Sequence, residues 1–92
     1  MNATKKIHFP LGKVLITPGA AVQCSASDVF TILNRHLQND WGEISDPDWK
    51  SNDSAIRNGG RVLSGYSCNG ERVWIITEAD RSYTTILLPE EY

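Results

Sequence analysis

The sequence is short of nearly everything that site chemistry is usually built from. Its 92 residues hold two histidines, His8 and His36, and two cysteines, Cys24 and Cys68. The cysteines are too few and too far apart for the paired spacing of a zinc site. There is no glycine-rich phosphate loop, no serine elbow and no paired Cys or His motif, so neither a cofactor nor a metal is expected. No apolar run approaches the ~18 residues that span a bilayer, and the first residues lack the apolar core of a secretory signal. No membrane partner is expected and a cytoplasmic setting follows, in which Cys24 and Cys68 stay free thiols. Basic charge is not in excess either: nine Lys and Arg stand against eleven Asp and Glu, for a net charge of -2. That balance gives no general attraction to phosphate backbones, so nucleic acid is not favoured. Lys5, Lys6, His8 and Lys13 form a basic N-terminal arm, read first as a solubilising terminus and second as a weak nucleic-acid contact.

What is present is a folded chain, 40% hydrophobic and 22% charged. Its length suits a single domain, 1–92, with a small shared core. It divides into a loose arm (1–12), a strand and helices (13–58) and a β-meander (59–92). Ile7, Phe9 and Leu11 alternate as a short edge strand would, and Lys13 to Thr17 is a better strand. Thr17 caps a short helix over Pro18 to Cys24 with proline at its first position. Ser25-x-x-Asp28 is a capping box, and Ala26, Val29, Phe30, Leu33 and Leu37 then recur as one apolar stripe. Asn39, Asp40 and Gly42 supply turn chemistry around Trp41. Ser45 to Asp48, with Pro47 in the first turn, opens a third helix that Asn58-Gly59-Gly60 closes. Trp49, Ala55 and Ile56, with Asn52 on the same side, make a thin face that places this helix at the core's margin.

The C-terminal strands read as Arg61–Ser67, Glu71–Thr77 and Tyr83–Leu88. Asn69-Gly70 is a type I′ hairpin signal, pairing Leu63 with Ile76 and Gly65 with Trp74. A three-residue turn through Ala79-Asp80-Arg81 would pair Trp74 with Ile86 and Ile76 with Thr84. Leu63, Gly65, Trp74, Ile76, Ile86 and Leu88 then share one face, read as the core side, with Trp74 over Gly65. Val62, Ser64, Tyr66, Val73, Ile75, Tyr83, Thr85 and Leu87 share the other, which is too apolar to stay wet. The expected fold is α+β, two to three short helices on a mostly antiparallel sheet, with the Lys13–Thr17 strand joining its edge.

Few residues invite a chemical reading. Glu78, Asp80, Arg81 and Ser82 gather charge and a hydroxyl at a hairpin tip, which reads as turn chemistry before recognition. His36 with Asp40 one turn later has the spacing at which a carboxylate orients an imidazole. With Arg81 they would suit a small hydrolase or nuclease-like toxin, against the plainer reading of a structural histidine near a helix end; Cys24, Cys68 and Ser64 are unmotivated nucleophiles. Asp46, Asp48 and Asp53 lack the spacing and central glycine of a calcium loop, and Lys50 intrudes, so they are helix-start acids. Trp41, Trp49, Trp74, Tyr66, Tyr83 and Tyr92 serve the core first, but such residues also anchor interfaces.

Thr17-Pro18-Gly19-Ala20, His36 with Asp40-Trp41-Gly42, Trp49 with Asn52, Gly60 to Ser64, Trp74 to Ser82 and Thr84 to Pro89 through Tyr92 together resemble a family of small bacterial proteins often labelled plasmid-related. Some of these carry an automatic label as a type I restriction methylase subunit, yet a methylase's cofactor-binding and catalytic motifs are missing here. The resemblance implies an accessory, mobile-element setting and action by binding. The expected function is therefore a non-enzymatic protein-interaction module, bound to a protein partner or to itself. Its contacts would use Tyr66, Val73, Ile75, Tyr83 and Leu87, or the Asp80–Arg81 tip.

Overall fold

Asn69 and Gly70 adopt φ of 51° and 81°, the two left-handed conformations that a type I′ turn demands. In the computed structural model, which describes residues 9–92, this turn joins β2 (Val62–Cys68) to β3 (Glu71–Thr77). The register is the one expected from the turn, with Leu63 opposite Ile76 and Gly65 opposite Trp74. β4 (Tyr83–Leu87) completes the meander, and β1 (Lys13–Ile16) lies parallel to β4 at the far edge, giving the order β1-β4-β3-β2. Ile7 lies outside the described residues; Phe9 and Leu11 form no strand.

The second hairpin differs from the expected one by a single residue. Glu78 N–H bonds Tyr83 O at 3.1 Å, which leaves Ala79 to Ser82 as a four-residue turn with Arg81 at φ 61°. Trp74 accordingly faces Leu87, Ile75 faces Ile86 and Thr77 faces Thr84. One extra turn residue moves every β4 side chain to the opposite face. Ile86 thus joins Val62, Ser64, Tyr66, Val73, Ile75, Thr77 and Thr84, while Thr85 and Leu87 join Trp74.

The former face is the core side, reversing the assignment from sequence. Among the described residues three α-helices lie against the sheet: α1 (Pro18–Gln23), α2 (Ala26–Leu37) and α3 (Asp46–Asn58). Each N-cap is as expected, since Thr17, Ser25 and Ser45 accept from the free N–H groups of Ala20, Asp28 and Asp48, and Asp28 returns a bond to Ser25. Ala20, Cys24, Ile32, Tyr66, Cys68, Val73, Ile75 and Ile86 form the larger core cluster; Phe9, Trp41, Ala55 and Val62 form the smaller. The buried stripe of α2 runs through Val29, Ile32, Leu33 and His36, and Phe30 points away from it, 77% exposed.

α3 lies where its thin face implied, along the outer edge of β2. The Asn52 amide donates to Leu63 O at 2.6 Å and its carbonyl accepts from Leu63 N–H at 3.1 Å, so one side chain stands in for a neighbouring strand. Two residues on, Gly65 N–H bonds Trp41 O at 3.0 Å and Glu43 N–H bonds Gly65 O at 2.7 Å. The β2 edge is thereby engaged at Leu63 and Gly65, which blunts it against further pairing. On the other sheet face the C-terminus folds back, with Tyr92 edge-on to Trp74 at 6.0 Å and its hydroxyl accepting from Arg61 at 2.6 Å. A Cβ on Gly65 would meet Trp74 Cδ1 at 3.6 Å, so the indole lies over that glycine as expected.

Candidate interaction surface

The residues best suited to chemistry are engaged in holding the fold. His36 is 0% exposed, edge-on to Phe9 at 5.3 Å and to Trp41 at 5.6 Å. Its Nδ1 lies 2.5 Å from Ser64 Oγ and its Nε2 2.9 Å from Thr77 Oγ1. Thr77 continues to Thr84 Oγ1 at 2.8 Å, and Thr84 donates to Leu11 O at 2.8 Å. This chain fixes its own protons. Thr84 spends its hydrogen on Leu11, so Thr77 must donate to Thr84; Nε2–H therefore donates to Thr77, and Nδ1 accepts from Ser64. The imidazole is neutral, and burial, aided by the Arg81 charge, holds its pKa down at about 3. A core histidine with both nitrogens committed does not carry hydrolysis.

Asp40 does not orient that imidazole. α2 ends at Leu37, Asn39 turns the chain at φ 63°, and the Asp40 carboxylate takes a bidentate bond from Arg35 at 2.8 and 3.2 Å. Arg81, likewise, folds back from its turn. Its guanidinium donates to Gly60 O at 2.6 Å, Glu78 O at 3.1 Å and Ala55 O at 3.1 Å, a cation on the carbonyl end of α3. Asp80 accepts from Ser82 N–H at 3.0 Å, an Asx-type turn, and these hydrogen bonds hold its carboxyl below its ordinary value. A shallow open hollow of about 330 Å³ beside this turn is lined by Glu78, Ala79, Asp80, Ser82 and Tyr83. Among the described residues no group of three or more His, Cys, Asp or Glu could hold a metal, and Cys24 and Cys68 are buried free thiols. No described helix is long and apolar enough to cross a membrane.

The residues expected to form an interface divide the same way. Tyr66, Val73 and Ile75 are buried under the helices, Tyr66 donating its hydroxyl to Asp40 O at 2.7 Å. Leu87 is buried on the opposite face, leaving Tyr83, 40% exposed, as the accessible residue of the five, with Asp80 exposed at the tip. Lys5, Lys6 and His8 lie outside the described residues.

A continuous exposed apolar run lies instead at β1. Val14, Leu15 and Ile16 are 43%, 42% and 43% exposed, although three apolar residues in a row usually mean a strand buried on both faces. By register with Thr84 and Ile86, Val14 and Ile16 stand on the helix side, and Leu15 on the other. Phe30 on α2 is exposed as well. Arg35 places its guanidinium 4.8 Å over the Tyr66 ring, so that flank of α2 faces β2. Phe30 is on the opposite flank of the helix. The K-V-L-I run was visible in the sequence, but only an edge position turns it into surface.

Set against protein-family models, curated proteins and solved structures, the chain matches none, and the roles assigned to its residues rest on its own geometry.

Proposed function

We propose that this chain is a non-enzymatic protein-interaction module that works through the β1 edge. The observation that carries this reading is the contrast between its two sheet edges. β2 is engaged at Leu63 by Asn52 and at Gly65 by residues 41–43, whereas β1 carries exposed Val14, Leu15 and Ile16 and among the described residues pairs with no strand on its outer side. An open edge with apolar side chains is a template for strand addition unless it is blunted. A mobile-element accessory that acts by binding agrees with it.

A surface cysteine tests the reading, because Cys24 and Cys68 are both buried. Val14→Cys should react rapidly with N-ethylmaleimide in the dilute purified chain and about tenfold more slowly in cells that produce the protein, if most copies have the edge occupied. Equal rates in the two settings would contradict an interaction at this edge.

A further inference from the structure

Strand β1 carries the information needed to say what would pair with it. In a parallel pair alternate residues turn their N–H and C=O groups toward the neighbour. Lys13 N–H bonds Ser82 O at 3.1 Å and Thr17 N–H bonds Ile86 O at 3.0 Å. Lys13, Leu15 and Thr17 therefore face β4, and Val14 and Ile16 direct their backbone groups away from the sheet. An incoming strand must bond to those two residues.

Charge is distributed along the same edge. Lys13 begins the strand, and among the described residues it makes no ion pair. At the far end Glu91 accepts from Thr17 Oγ1 at 2.5 Å, Gly19 N–H at 2.9 Å and Leu88 N–H at 2.8 Å. Its donors are neutral, so within the described residues its charge has no counter-ion. Lys13, Leu15 and Thr17 share the sheet face that Tyr92 covers at Trp74. A cation and an anion thus sit at opposite ends of one strand, on one face.

Resting on the interaction-module reading, we infer that the occupant of the β1 edge is a second copy of this chain, paired antiparallel about a two-fold axis at Leu15. Such an axis, perpendicular to the sheet, keeps the helices of both copies on the same side. Opposed residues must then share a face, which pairs Leu15 with Leu15, Val14 with Ile16 and Lys13 with Thr17 of the other copy. Centring on Leu15 uses the outward groups of both Val14 and Ile16 in closely bonded pairs; centring on Val14 would set Lys13 against Leu15 instead. The Leu15 centre also places each Lys13 beside the Thr17–Glu91 pair of the other copy, in the narrow kind of antiparallel pair, with Cα atoms ~4.5 Å apart. On the helix side, Val14 and Ile16 meet their counterparts. The two sheets become one, and the exposed apolar edge of each copy is covered by the other.

Sedimentation velocity on the wild-type chain from ~1 µM to ~1 mM should show a monomer–dimer equilibrium. Lys13→Glu and Glu91→Lys should each weaken the dimer about tenfold, because both symmetric contacts turn repulsive, and an equimolar mixture should recover the lost affinity. Register is read separately. Leu15→Cys should oxidise to a covalent dimer, its Cα separation being within disulfide range, whereas Val14→Cys should not cross-link to itself. A wild-type chain that stays monomeric throughout, self-cross-linking of Val14→Cys in preference to Leu15→Cys, or a mixture no tighter than its components would overturn the inference. Should the purified chain be monomeric while Val14→Cys is still protected in cells, self-pairing falls and the interaction reading survives; loss of both sinks both.

Discussion

His36 should make the protein acid-sensitive in a pH range where carboxylates contribute little. Its ordinary pKa of 6.5 falls to about 3 in the folded chain, burial being the main cause and the nearby Arg81 charge the second. Above ~pH 7 the imidazole is neutral in both folded and unfolded states, and stability does not depend on it. Below 6.5 the unfolded chain takes up a proton that the folded core refuses, so stability falls as pH falls, until about pH 3. At about 1.4 kcal/mol per pH unit, and less near the unfolded pKa, the loss from neutrality to about pH 4.5 is about 2–3 kcal/mol. That is a large share of what a small domain has, typically 5–15 kcal/mol. His36→Leu separates the effects. It leaves Ser64 and Thr77 without their partner and should cost about 1–3 kcal/mol at pH 7, but its stability should decline less steeply than wild type toward about pH 4.5. Urea unfolding followed by tryptophan fluorescence at a series of pH values measures both slopes, and carboxylate contributions common to the two proteins cancel. Parallel slopes, or an imidazole seen by NMR to titrate near 6.5, would refute the reasoning.

Other residues give sharper structural tests. Asn52→Ala removes both bonds to the Leu63 backbone and should cost about 1–3 kcal/mol in denaturant unfolding, while exposing the β2 edge to aggregation. Arg81→Met removes the guanidinium from the carbonyls of Ala55, Gly60 and Glu78; a stability loss of about 1–3 kcal/mol and faster amide exchange at the end of α3 are expected. Burial pushes the Cys68 thiol up to about 12, so in native buffer it should resist alkylation at pH 8 and react readily once urea unfolds the chain.

Local chemistry accounts for most of what could be read from the sequence. Thr17, Ser25 and Ser45 cap helices through bonds confined to three residues, and Asn69-Gly70 sets a register through its own φ angles, so neither depends on distant contacts. The second hairpin was less legible because Ala79 to Ser82 accommodates either three or four turn residues; Arg81 takes the left-handed position without being glycine, held there by carbonyls of α3 and the neighbouring loop. That one residue exchanged the faces of β4 and hid which side of the sheet the helices cover. Phe30 illustrates the same limit. Its spacing fits the apolar stripe, but a polar His36 satisfied by Ser64 and Thr77 takes the inward position, and such satisfaction is a tertiary fact. Exposure of Val14, Leu15 and Ile16 likewise follows from strand order, which no local pattern encodes.

Amide hydrogen exchange at β1 tests most directly whether this edge is the working surface. Leu15 N–H faces β4 and should be protected at every concentration, while Val14 and Ile16 should exchange near their unprotected rates in dilute solution and slow together as the chain is concentrated. Val14 and Ile16 amides that remain unprotected at ~1 mM, with Leu15 protected throughout, would contradict pairing of the edge with a second copy.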